Sequence, residues 1–236
     1  MKMLLPATLI EAEFVARPNR FLSRVKIKGE VVDSHVPDPG RLKELLFPGA
    51  RVLVEPKSGE NRKTKFATVM VYSGSELISI NSQLPNRFVR HCLDNQLIPE
   101  FSSWKVKKQE YTLGKSRFDF LLERDGKEKL VEVKSATLVE DGIVRFPDAV
   151  TSRGRRHVLH LAESINADRS AAVLFIVQRS DGHAFEPHWQ RDPAFAEALL
   201  ESVQKGVELL IYTAHLTPQS MTLGQSIPYA LEPVDD

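Results

Sequence analysis

The dipeptide Asp125-Gly126 constrains this chain more tightly than any other feature, because it joins two strand-like runs, 117–123 and 129–134. Asp-Gly favours a two-residue type I′ hairpin turn, in which both central positions take positive φ. Such a turn sets Arg124 opposite Lys127, so cross-strand residue numbers sum to 251 and Asp119 falls opposite Glu132. Lys134, two residues further on, shares their face. The other face collects Phe118, Phe120, Leu122, Val131 and Val133, an apolar set suited to packing under helices.

Directly opposed carboxylates, with Cβ atoms about 5 Å apart, repel one another unless a proton or a cation intervenes. A divalent ion compensates at neutral pH. Mg²⁺ binds carboxylate oxygens and keeps several waters. Asp119 and Glu132 are therefore the candidate metal ligands, with Lys134 orienting water or neutralising charge on a phosphoryl group. The same three residues also read as a solvated ion-pair triad on an exposed sheet face.

Around this hairpin the chain changes character. Up to residue 82 it shows short strand-like segments at 8–16, 21–27, 30–34, 51–55, 66–72 and 77–81, separated by Pro-Asn, Lys-Gly, Pro-Asp-Pro-Gly and Ser-Gly turns. These predict a small all-β unit, a five-stranded OB-like barrel with a short helix at 42–47. Beyond residue 83 helices are expected at 87–97, with Asn86 as N-cap, at 152–167 and at 193–206. Strands at 107–113, 117–123, 129–137, 171–178 and 208–214 complete an α/β domain with a mixed sheet. Pro18-Asn19-Arg20-Phe21 is echoed by Pro85-Asn86-Arg87-Phe88, most simply by chance.

Composition excludes several classes. The longest apolar run, 171–177, is far short of the roughly 20 residues that span a bilayer, and Glu11 and Glu13 interrupt the N-terminal apolar stretch before any secretory core forms. Cys92 is the sole cysteine, so no internal disulfide is possible and a cytoplasmic setting is expected. No P-loop occurs, and the spacing of His157 and His160 is not that of a zinc site. A net charge of +1 gives no global field, so attraction to nucleic acid must come from local clusters.

The runs Ser116-Arg117-Phe118-Asp119-Phe120-Leu121-Leu122, Val131-Glu132-Val133-Lys134-Ser135-Ala136-Thr137-Leu138 and Phe146-Pro147-Asp148-Ala149-Val150-Thr151-Ser152-Arg153-Gly154 resemble the sugar fermentation stimulation protein A family. So do His35-Val36-Pro37-Asp38-Pro39-Gly40-Arg41 and Phe47-Pro48-Gly49-Ala50. The resemblance implies an N-terminal OB domain over 1–82 and a restriction-endonuclease-like domain over 83–236. It maps the catalytic Asp and Glu-x-Lys onto Asp119, Glu132 and Lys134, and an upstream acid onto Glu110. It also implies DNA as partner and Mg²⁺ or Mn²⁺ as cofactor. Two functions follow as alternatives: a metal-dependent DNA phosphodiesterase, or a non-catalytic DNA-binding regulator that keeps the scaffold. Where many members have Asn-Thr before the first-domain glycine, this chain has Asp38-Pro39, which suits a turn as well as a phosphate contact.

Expected DNA contacts are Arg41, the loop residues Lys57, Arg62, Lys63 and Lys65, and Arg153 with His157 at the start of the 152–167 helix. A solvated loop is the competing reading of the 57–65 run. The sequence leaves the oligomeric state open, a homodimer included.

Overall fold

The structure, a computed structural model, describes residues 1–5, 8–59 and 62–233. After β1 (Lys2–Leu4), the first unit consists of β2 (Ile10–Asn19), β3 (Leu22–Ile27), β4 (Glu30–His35), β5 (Arg51–Pro56), β6 (Phe66–Ser73) and β7 (Glu76–Ser79). Its strand order is β4-β3-β2-β5-β6-β7, and a parallel pairing of β4 with β6 closes five of these strands into a barrel. Closure removes the exposed sheet edges. Phe14, Val25, Val36, Val52, Val54, Val71, Ile78 and Ile80 fill the interior.

The second unit starts with α1 (Leu84–Asp94), followed by a 3-10 turn at Pro99–Phe101. Then come β8 (Lys105–Leu113), β9 (Ser116–Arg124), β10 (Lys127–Ala136), β11 (Val139–Glu140), β12 (Ile143–Phe146) and α2 (Ser152–Glu163). The chain continues through β13 (Arg169–Val177), β14 (Ala184–Pro187), α3 (Pro193–Gln204), β15 (Glu208–Thr217) and β16 (Ser220–Ser226). Seven strands form one mixed sheet, β1-β16-β15-β13-β10-β9-β8, in which β10, β13 and β15 are parallel. A second, three-stranded sheet has the order β11-β12-β14.

The barrel and the mixed sheet share a core. Leu53, Val69, Met70 and Leu77 of the barrel pack in one cluster with Phe88 and Cys92 of α1 and with Phe120, Val131, Leu174 and Ile176 of the sheet. The opposite sheet face packs on Val158 and Leu161 of α2 and on Phe195 and Leu199 of α3. A sheet covered on both faces explains the continuous apolar run 171–177, which lacks alternation.

Several expectations need correction. The segment expected as a helix over 42–47 is a tight turn: Leu42 takes φ 48, its carbonyl accepts from Leu45 and Leu46, and no second helical turn follows. Residues 2–4, expected with the barrel unit, pair antiparallel with β16 as the edge of the mixed sheet, where Met3 is buried. Gln83, not Asn86, stands at the N-cap position of α1, without a side-chain capping bond, because Pro85 fits the first helical turn, where its missing N–H costs nothing. Asn86 is thereby freed for a different task. The Pro-Asn-Arg-Phe echo has no structural counterpart, since one copy ends in a β-turn with Phe21 half exposed and the other opens a helix with Phe88 fully buried.

Candidate active site

The β9–β10 turn has the geometry that Asp-Gly dictates, with φ 50 at Asp125 and φ 77 at Gly126. Pairs from Arg124–Lys127 to Phe120–Val131 follow the register summing to 251. The ladder then stops one pair short of Asp119–Glu132. There the Asp119 carboxylate displaces the expected backbone partner: its Oδ2 accepts the Val133 N–H at 2.7 Å. Its Oδ1 accepts from Asn86 Nδ2 at 2.5 Å.

This interruption alters the faces. Phe120, Leu122, Val131 and Val133 pack toward the barrel and α1 as one set, whereas Phe118, expected with them, packs with Leu121 and Leu130 beneath α2. Alternation slips at Asp119, so Phe118 and Leu121, three residues apart, share a side. Phe118 lies edge-on to His157, with ring centroids 6.0 Å apart.

Glu132 points to the α2 side and is 5 % exposed. Its Oε1 accepts from both Lys134 Nζ at 2.6 Å and His157 Nδ1 at 2.7 Å. Its Oε2 is buried with no hydrogen-bond partner among the described residues. A buried carboxylate oxygen left without a donor is costly unless something else meets it. Burial works to raise the Glu132 carboxyl, but Lys134 and His157 outweigh it and hold the group below its ordinary value. At Asp119 burial prevails. With the Glu132 charge adding to it, burial pushes that carboxyl up to about 6, against the pull of Val133, Lys134 and Asn86. The pair thus divides into an anchored anion and a carboxyl that resists ionisation, a division met where function requires shifted groups.

His157, expected at the DNA surface, is instead 5 % exposed and committed to Glu132. The reason lies in α2. Thr151 caps the helix by accepting from Gly154 N–H at 3.1 Å, and the inward stripe that buries Val158 and Leu161 also carries His157. Arg153 is exposed beside this stripe. Glu110 does not turn into the site: its backbone takes φ 51, and its side chain, 68 % exposed, meets Arg117 at 3.6 Å. Arg41, Arg62, Lys63 and Lys65 are exposed, and Lys57 pairs with Glu55. Glu60, the acid within that basic run, lies outside the described residues. Asp38 acts as a turn former, its Oδ1 accepting from Gly40 N–H at 2.7 Å.

Among the described residues no group of three or more His, Cys, Asp and Glu side chains is arranged to hold a metal. The donors available at β9 and β10 are the two carboxylates, and the bare Glu132 Oε2 beside the charge-strained Asp119 is the feature a cation would fit.

Residues 83–220 match the model of the sugar fermentation stimulation protein RE domain, and residues 15–80 match that of the SfsA N-terminal OB domain. The chain belongs to the SfsA family. Curated relatives include sugar fermentation stimulation protein homologues from Clostridium botulinum, 41 % identical over 95 % of this chain and 98 % of theirs, and from Chloroflexus aggregans, 44 % identical over 93 % and 85 %. A solved SfsA, that of Pyrococcus furiosus in complex with Ca²⁺, superposes with a TM-score of 0.89 at 28 % identity, covering 98 % of this chain and 99 % of the other. The OB barrel followed by a mixed-sheet α/β domain is therefore the family architecture as well as the observed one.

Asn86 is the site residue that sequence reasoning missed. Its signal was indirect: Pro85 already supplies a helix start, which leaves an amide inside the first turn with no capping role.

Proposed function

We propose that this SfsA-family chain binds DNA and hydrolyses phosphodiester bonds with a divalent cation at Asp119 and Glu132. The observation that carries this is the arrangement of Glu132, whose one oxygen is saturated by Lys134 and His157 while the other is buried and bare. Ca²⁺ in the Pyrococcus furiosus relative supports a divalent ion. Mg²⁺ or Mn²⁺, bound through the two acids, would polarise a phosphoryl oxygen and acidify a bound water.

The chain's own residues have separate tasks. Asn86 and the Val133 N–H hold the Asp119 carboxylate in one orientation, so its position costs little at the moment of reaction. His157 fixes Glu132 from α2 and keeps it ionised. The Lys134 side chain, 12 % exposed, sets its ammonium against Glu132, within reach of charge arriving beside that carboxylate. Exposed Arg153 at the start of α2 and the basic 62–65 segment of the barrel contribute phosphate contacts.

A second reading, DNA binding without turnover, is favoured by the outward course of Glu110, which leaves two acids rather than three at the site. One assay separates the two. Single-stranded, duplex and branched DNA are incubated with Mg²⁺ or Mn²⁺ and wild type, Asp119→Ala or Lys134→Ala. Cleavage by wild type alone supports the enzyme. Equal cleavage by all three removes Asp119 and Lys134 from catalysis. Salt-sensitive binding without cleavage supports the regulator.

A further inference from the structure

We propose that Arg20 and Phe21, at the turn between β2 and β3, join two grooves into one track that feeds an unpaired nucleic-acid strand from the barrel to β10. This deepens, and rests on, the reading of β10 as a phosphodiester-cleaving site.

The first groove, of 580 Å³, lies on the barrel and is lined in part by Phe21, His35, Arg62 and Lys63. Phe21 is 50 % exposed, an unusual position for a phenyl ring on a tight turn. The ring is presented on a fixed backbone. The Phe21 N–H donates to Asn19 Oδ1 at 2.9 Å, and its carbonyl accepts from Val36 N–H at 3.0 Å and from His35 Nδ1 at 3.1 Å. Arg20 stands over the ring with its guanidinium carbon 5.6 Å from the centroid. A rigid aromatic face backed by a guanidinium, with Arg62 and Lys63 in the same groove, is the combination that stacks a base and holds its phosphate. Stacking needs a free base face, which a duplex keeps inside its helix.

The second groove, of 390 Å³, lies between barrel and mixed sheet. Arg20 lines it from the barrel side, and Ser135 of β10 and Thr137 just past the strand's end line it from the other, starting one residue beyond Lys134. Arg20 and Phe21 are adjacent residues, so the two grooves meet at this turn, and a strand leaving the ring passes Arg20 before it reaches β10. Asp38 and Asp148 also line the second groove. Asp38 Oδ1 accepts from Gly40 N–H at 2.7 Å within its own turn, and Asp148 Oδ2 accepts from Arg41 N–H at 2.9 Å across the two units. Acceptors of this kind, with the hydroxyls of Ser135, Thr137 and Thr151, suit the amino and ring N–H groups of a base and repel phosphate. The backbone is thereby turned toward Arg20 and the base toward the cleft.

The test is fluorescence anisotropy in EDTA at fixed salt. The probes are a labelled thymidine oligonucleotide, a blunt duplex and the same duplex with a single-stranded tail. The proteins are wild type, Phe21→Ala, Phe21→Tyr and Arg20→Ala. The expected result is tighter binding of tailed than blunt duplex by wild type, and a loss of roughly five- to a hundredfold for the oligonucleotide and the tailed duplex in Phe21→Ala. Phe21→Tyr should restore binding, and the blunt duplex should be indifferent to all three substitutions. Equal wild-type affinity for blunt and tailed duplex, or a uniform loss in Phe21→Ala that Phe21→Tyr fails to restore, overturns the track. Cleavage of the same DNAs with Mg²⁺ is scored separately. Its absence defeats the phosphodiesterase reading while leaving Phe21-dependent binding intact, and Phe21-independent binding with cleavage preserved defeats only the track.

Discussion

Replacing Asp38 by asparagine should stabilise the protein, and by an amount that depends on pH. Burial, opposed by its hydrogen bond from Gly40 N–H and reinforced by the nearby Asp148 charge, pushes the Asp38 carboxyl from 3.8 up to about 6. A carboxyl with a raised folded value binds its proton more tightly folded than unfolded. The charge therefore costs nothing below pH 3.8, costs progressively more as pH rises through that interval, and reaches its full cost above pH 6. Two pKa units and a little more correspond to about 3 kcal/mol at pH 8, and to about half of that at pH 5. The asparagine side chain cannot ionise, yet its amide oxygen can still accept from Gly40 N–H, so the turn survives. For a chain of this length about 3 kcal/mol is roughly 6–12 °C in Tm at pH 8, with a smaller gain at pH 5. Thermal or urea unfolding of both proteins across pH 4–8 measures it. Titration of acids distant from Asp38 cancels in the difference between the two proteins, while that of Asp148 and Glu44, which feel its charge, belongs to the effect measured. A difference in stability that is flat with pH, or that favours wild type at pH 8, would refute the assignment of a strained charge at this domain junction.

Asn86→Ala removes a donor from the largely buried Asp119 carboxylate, and should cost about 1–3 kcal/mol in urea unfolding at pH 8; a cost under a few tenths would show that this bond does not hold Asp119. Gly40→Ala places a methyl group against the Asp148 carboxylate and Asp38 Oδ1, where no flexible end can withdraw without breaking the Arg41 and Gly40 contacts. It should lower the midpoint by the equivalent of about 1–3 kcal/mol, as overpacking does, and an unchanged midpoint would show that the domain junction yields freely.

The parts of this structure that local chemistry governs were legible in advance. Positive φ at two adjacent positions is available to Asp-Gly at little cost, so the hairpin and its register could be counted out along the chain. Barrel strands were marked by turn residues, and α2 and α3 were expected close to where they lie, whereas their caps Thr151 and Asp192 came with the structure. The short helix expected at 42–47 failed because the propensity of a few residues cannot outweigh the packing of Leu42, Leu45 and Leu46 into the barrel core, which comes with a left-handed Leu42. At the site the misses were of another kind. Asn86 is 33 positions from Asp119 and His157 is 25 from Glu132, and only chain folding decides which of His157, Asn86 and Glu110 arrives.

By itself the sequence determined the hairpin, the opposition of Asp119 to Glu132 in count, and the placing of Lys134 on the Glu132 side, because a period of two and a tight turn leave no freedom. Tertiary structure decided that this face lies under α2 rather than in water, that the ladder breaks where Asp119 takes the Val133 N–H, and that one oxygen of Glu132 stays bare. Those outcomes depend on helices packed from distant parts of the chain. Burial, which turns a pair of acids into a strained anion site, is a property of that packing and of no residue alone.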